Sequence, residues 1–279
     1  MTVFGISLLR ANPAIWSDLA QEAERVGFES IWMSDHLVLP VDLDSGDYPD
    51  GKLPIAPNTQ IFDVMVYLAA IAARTSTIRL GTFVYQLGLR DPFSAARAVA
   101  TLDVVSGGRV ELGVGAGWSS AEWQVAGLPF DSRGRRLDEV SAVCRRLWTE
   151  ETVAHEGEFY SFPEVAFEPK PIQGADLPLL IGGESPPALR RAVRTGTGWI
   201  GMHHTPESVA PIVEKLNELC AAAGRVEPLS VTVAAPPGEV DVAGWRTSGV
   251  SRVIVAPWGR TSTAIADIRA FSRDFIQVS

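Results

Sequence analysis

Asp35 and His36 stand side by side at the end of a short apolar run, SIWMSDH, and are the residues best suited to move a proton. Neighbouring side chains at a strand exit point in different directions, so one can face a ligand while the other faces substrate or a helix end. Imidazole changes charge near neutral pH, which makes His36 the natural acid–base group and Asp35 its orienting partner. A plainer reading stays open: Asp35 capping the next turn and His36 solvated in a loop. Two glycine clusters offer other chemistry. Gly113, Gly115 and Gly117 close the run VELGVGAGW, and Gly182-Gly183 precedes Glu184, Ser185 and Pro186. Glycine lets a planar or phosphorylated ligand approach the backbone, and tight turns need it equally. Ser185 fits a helix N-cap with Pro186 at the first helical position. Free N–H groups there would suit an anion, and simple capping explains the same letters. His203 and His204 read either as substrate contacts or as exposed loop residues.

The chain carries no His/Asp/Glu set at metal-ligand spacing and no GxSxG elbow. Cys144 and Cys220 fall in helical patterns without CxxC, as expected of reduced thiols in a cytoplasmic protein. A net charge of −9 argues against nucleic acid or an anionic membrane as partner. No apolar run reaches the roughly 18 residues of a membrane span, and the N-terminus lacks signal-peptide pattern. What remains suits a large planar cofactor held by backbone and apolar walls, with one acid–base group.

The elements that must position these residues alternate regularly. Strands are expected near 3–9, 29–34, 78–84, 109–114, 179–181, 199–201, 229–235 and 250–256, with helices between them. Asn12-Pro13, Asp63 and Pro92 mark helix starts, and 131–148 reads as a long amphipathic helix. Eight such units predict one α/β domain over residues 1–279, a (β/α)₈ TIM barrel, whose reactive groups gather at the C-terminal ends of the strands. An open doubly wound sheet is the alternative, but no GxGxxG follows the first strand. Two stretches break the rhythm. Residues 37–61, rich in Pro, Gly and Asp, form an insertion after the second strand that reads as a lid or substrate wall. Residues 152–178 form an irregular excursion before the fifth strand, with a hairpin tip at HEGEFY.

The segments GFESIWMSDHLVLP, YLAAIAARTSTIRLGTFV, DPFSAARAVATLDVVSGGRVELGVGAGW, GLPFDSRGRRLDEV, LWTEETVAHEGEFYSF and LLIGGESPPALRRAVRTGTGW resemble the bacterial-luciferase-like superfamily. Within it they are most similar to the actinobacterial branch that uses the deazaflavin coenzyme F420. The resemblance implies hydride transfer between F420 and a small organic substrate. A two-component FMN-dependent monooxygenase fed by a separate reductase is the alternative, and a non-catalytic flavin- or deazaflavin-binding protein is a third reading. It further implies that Asp35 and His36 lie beside the ring. Thr82 and a cis peptide bulge at Phe83-Val84 would back it. Gly115, Ala116, Gly117 and Trp118 would follow the ribityl and phosphate side, and Gly182, Gly183 and Ser185 would meet the phosphate end. Some relatives carry a catalytic glutamate where this chain has Trp118, so His36 is expected to act alone or with a lid residue. Luciferase-like barrels commonly form homodimers through helices near the second and third strands. The apolar run at residues 65–73 is compatible with such a face or with an ordinary buried helix.

Overall fold

A computed structural model describes residues 2–41, 56, 58–238 and 240–276. Eight parallel strands close into a barrel: β1 (Val3–Ser7), β2 (Ser30–Met33), β3 (Arg79–Thr82), β4 (Val110–Val114), β7 (Leu179–Gly182), β8 (Gly198–Met202), β9 (Ser230–Ala234) and β10 (Arg252–Val255). Neighbours follow chain order around the ring, and β10 returns to β1 in the register Val3 to Arg252 through Ile6 to Val255. The helices are α1 (Trp16–Arg25), α2 (Val64–Ala72), α3 (Pro92–Ser106), α4 (Ser120–Val125), α5 (Arg133–Thr149), α6 (Pro186–Thr195), α7 (Pro206–Ala222), α8 (Val242–Thr247) and α9 (Ala264–Phe275). The short helices α4 and α8 do not announce themselves by apolar periodicity. Among the described residues no helix is long and apolar enough to cross a membrane.

Local chemistry explains where the elements start and stop. Asp63 and Asp91 cap α2 and α3 by accepting from Val66 N and Ser94 N, and Pro92 fills a position whose N–H has no helical partner. Gly107 ends α3 in the left-handed region (φ 71°). Arg109, which follows the glycine pair, is buried and donates to the carbonyls of Ala72, Thr75, Ile78 and Ser106 and to the Thr75 hydroxyl. One guanidinium thus serves carbonyls at the C-terminal ends of α2 and α3, which is what the SGGR run accomplishes.

The barrel interior is layered. At the N-terminal end Arg252 joins Glu29 (2.6 Å) and Glu111 (3.2 Å), and Arg79 also pairs with Glu111. Above them lie Trp32, Leu180, Ile200, Ala234 and Ile254, with Phe83 and Val84 packed on top. The second, larger apolar cluster fills the space between barrel and helices. Of the apolar run at 65–73, Met65, Leu68, Ile71 and Ala72 are buried, whereas Val66 is 71% exposed.

The excursion at 152–178 opens with an antiparallel hairpin of β5 (Thr152–Glu156) and β6 (Ser161–Ala166), with its tip where the sequence places it, and continues irregularly to a short turn at Gly174–Asp176. The RGRRLDE run holds that hairpin against the barrel. Glu139 accepts from Phe159 N (3.0 Å), Tyr160 N (2.9 Å) and His155, while Arg136 donates to the Tyr160 hydroxyl. Asp138 ties the same helix to Arg191 and Arg194 of α6. Most of the proposed lid, 42–55 and 57, lies outside the described residues.

Candidate active site

The C-terminal ends of β2, β3 and β4 converge on one buried polar cluster. Asp35 and His36 leave β2, Gln86 and Arg90 follow β3, and Glu122 sits in the first turn of α4 after β4. Glu122 is fully buried. It accepts from Leu37 N (2.6 Å) and from Gln86 Nε2 (2.8 and 2.9 Å), and it meets His36 Nδ1 at 3.2 Å. Asp35 accepts from Gln86 N (2.9 Å) and from Arg90 Nη2 (2.8 Å), and Arg90 stacks over the Tyr85 ring at 4.3 Å. Gln86 therefore ties the two carboxylates together through one backbone and one side-chain group.

The pKa values of the two carboxyls shift in opposite directions. Burial dominates at Asp35 and raises its pKa even against the Arg90 cation. Burial also pushes Glu122 upward, but hydrogen bonds and charge from His36 and the donors Gln86 and Leu37 together outweigh it and hold the carboxyl below its usual value. An ionised carboxylate only accepts, so His36 must donate from Nδ1 in this contact. Nε2 is then the nitrogen left to take or return a proton.

In the structure His36 does not stand alone: Glu122, four residues beyond Trp118, sets its carboxylate against the imidazole Nδ1. Its sequence signal was ambiguous, because Ser119-x-x-Glu122 is a capping-box pattern. Ser119 does cap α4, accepting from Glu122 N at 3.4 Å, but the carboxylate turns into the barrel mouth. Gln86 and Arg90 carried no motif at all.

The other sequence-derived candidates divide by what they touch. The Phe83–Val84 peptide is cis, and both side chains pack on the inner apolar layer. Thr82 is fully buried and donates to Gly113 O (2.7 Å), so its hydroxyl serves the β3–β4 pairing and not the mouth. Gly115 and Gly182 surround Val84: a Cβ would stand 2.6 Å from Val84 Cγ2 at the first and 3.2 Å from Val84 Cγ1 at the second. Their smallness admits a side chain of the protein itself. Ala116 packs on the outer core. Gly117 (φ 79°) makes the turn after which the Trp118 indole meets the His36 ring edge-to-face, centroids 5.8 Å apart.

At the fifth barrel strand Gly183 (φ 106°) turns the chain into α6. Ser185 occupies the N-cap position, but its side chain makes no capping hydrogen bond, contrary to expectation. Pro186 and Pro187 remove two N–H groups from that helix end, which leaves it poorer in anion donors than the ordinary helix start. Glu184 points to His204 Nε2 (2.8 Å), and His204 is buried against Trp199. His204 is thus a paired residue rather than a solvated one. His203 holds a left-handed backbone (φ 61°). Glu184 and His204 lie beyond β7 and β8, on the other side of the mouth, where His204 meets Glu184 and Ser208. Among the described residues no group of three or more His, Cys, Asp or Glu could hold a metal ion.

Comparison with known proteins gives consistent results. A family model described as luciferase-like monooxygenase matches residues 8–238. A Mycobacterium tuberculosis protein recorded as uncharacterized is 34% identical over 257 residues, 90% of each chain. An F420-dependent glucose-6-phosphate dehydrogenase of Kineococcus radiotolerans is 34% identical over 224 residues, 77% of this chain and 60% of that one. The solved coenzyme F420-dependent tetrahydromethanopterin reductase of Methanopyrus kandleri has the same fold, with a TM-score of 0.79 at 20% identity over 99% of each chain.

Proposed function

Because this chain belongs to the luciferase-like monooxygenase family, we propose that it is an oxidoreductase that binds coenzyme F420 and exchanges a hydride between it and a small organic substrate. The observation that carries the reading is the His36–Glu122 pair, 3.2 Å apart, beyond the C-terminal end of β2, whose neighbour β3 leads into Phe83 and Val84. A proton-managing imidazole beside an apolar shelf is what hydride exchange with an alcohol or carbonyl requires of a protein.

The residues present fit a flat ring system. Phe83 and Val84 offer an uncharged floor over the inner apolar layer. Gln86 Oε1 is buried with no hydrogen-bond partner next to Gly117, where a Cβ would stand 2.6 Å away. An acceptor left unpaired at a barrel mouth is a place for a ligand donor or a bound water. When bound, the coenzyme supplies the two-electron chemistry. The chain's own part is to hold Nε2 of His36 as the proton acceptor through Glu122, to fix Glu122 and Asp35 through Gln86, and to exclude water with Trp118 and the shelf. The gain from such fixed groups is that no reorganisation is needed when charge moves.

Tryptophan-fluorescence titration with F420 and with FMN tests this. Micromolar F420 binding with FMN at least tenfold weaker is the expected result. Tighter FMN binding would replace the reading by a flavin-dependent monooxygenase, the activity in the family's name.

A further inference from the structure

The surroundings of His36 carry information about the substrate as well as the reaction. Arg90, the basic side chain that the described contacts place on the cluster, is already committed. The Arg90 guanidinium is taken by Asp35 (2.8 Å) and by Gln86 O (3.0 Å), and its face lies on Tyr85. Across the mouth His204 is held by Glu184 and Ser208. Two buried carboxylates, Asp35 and Glu122, stand behind the imidazole against that single guanidinium. With neutral imidazole the local balance is negative, and it opposes an anionic substrate.

Among the described residues, apolar side chains lie exposed beside His36. Trp118 is half-buried and sets its indole against the imidazole at 72° between planes. Leu37 and Val38, the next two residues after His36, are 47% and 38% exposed. The Leu37 N–H bond to Glu122 fixes that backbone next to the reacting group. Apolar side chains exposed at a barrel mouth suit the binding of an apolar ligand.

We propose that this site takes an uncharged, ring-containing alcohol or its ketone, not a sugar phosphate, and that Trp118 determines that choice. The indole gives a flat apolar wall at the edge of the imidazole, so a cyclic substrate packs on Trp118 while its oxygen reaches His36. The proposal rests on the oxidoreductase reading above. It goes beyond it in naming the substrate class.

The test is NMR of the histidine Cε1–H signals in the full chain, with His36 assigned from the spectrum of His36→Asn. Cyclohexanol, benzyl alcohol and glucose 6-phosphate are the probes. The two neutral alcohols are expected to shift the His36 signal saturably, and glucose 6-phosphate at the same concentrations to leave it unmoved. Trp118→Glu is expected to weaken the alcohols at least fivefold, while Trp118→Phe stays within twofold of wild type. Stronger perturbation by glucose 6-phosphate, no response to either alcohol, or equal alcohol binding in Trp118→Glu would each overturn the proposal. F420 titration of the same samples separates the two claims. Alcohol binding without coenzyme binding sinks only the oxidoreductase reading, and coenzyme binding without alcohol binding sinks only the substrate class.

Discussion

Replacing Glu122 by alanine tests the architecture of the site independently of any ligand. The carboxylate is wholly buried and is the shared acceptor for Leu37 N–H, the Gln86 amide and His36 Nδ1. Alanine leaves these three donors facing a small cavity. An unsatisfied buried donor costs about 1–3 kcal/mol. Removing the carboxylate also releases its own desolvation cost, so the net lies nearer the low end of the sum, about 3 kcal/mol. For a barrel of this size that corresponds to a fall in melting temperature of about 6–12 °C. Glu122→Gln keeps one acceptor oxygen and should lose about 1 kcal/mol. Its carboxylate's pKa is depressed in the fold, so the stabilisation is present above the usual value of 4.5 and fades as pH falls through the folded value. The gap between wild type and Glu122→Gln should therefore close as pH falls from about 5 through the folded value. Circular-dichroism melts at one scan rate, repeated from pH 7.5 downward, measure both effects. A Glu122→Ala protein that melts within 1 °C of wild type would refute the reasoning, as would a gap that widens in acid.

Two further outcomes follow from other contacts. Gly115→Ala should destabilise by about 1–3 kcal/mol, because its Cβ would press on Val84 Cγ2. Urea midpoints should show Val84→Ala restoring much of that loss in the double variant, and simple additivity would mean that the glycine serves something else. Glu22 of α1 bridges to Arg25 and to Arg269 of α9, and hydrogen bonds from these two guanidinium groups lower its pKa to about 2. Both arginines are at least half exposed, so screening keeps the benefit small. The difference between wild type and Glu22→Gln should be full above about pH 4.5 and decline steadily towards pH 2 in equilibrium unfolding; a difference unchanged at pH 3 counts against the assignment.

The barrel was legible because its signals are local. Apolar runs of strand length ended in Asp, Gly or Pro, and Asn12, Asp63 and Asp91 sit where caps must sit. The hairpin tip at HEGEFY was equally plain. The His36 cluster was legible only by half. Asp35 and His36 share one strand end, but Glu122 and Gln86 reach them from 86 and 51 residues away, and such separations leave no mark on local periodicity. Glu122 was further disguised by the Ser119 cap that shares its pattern. The glycines were ambiguous in a different way. A missing Cβ at Gly115 or Gly182 reads identically in sequence whether it makes room for a ligand or for a side chain, and the packed structure places Val84 beside both.

The charged floor of the barrel has a practical consequence. Arg252, Glu29, Glu111 and Arg79 plug the end opposite His36, and an apolar layer separates them from the Phe83–Val84 shelf. Substitutions at the two ends share no partners, so their free-energy effects should add. The molecule can therefore be varied like a handle and a blade. Libraries built on Leu37, Val38 and Trp118 can vary the mouth while the anchoring end remains untouched, and any stabilising change made at that end can be carried into every library member.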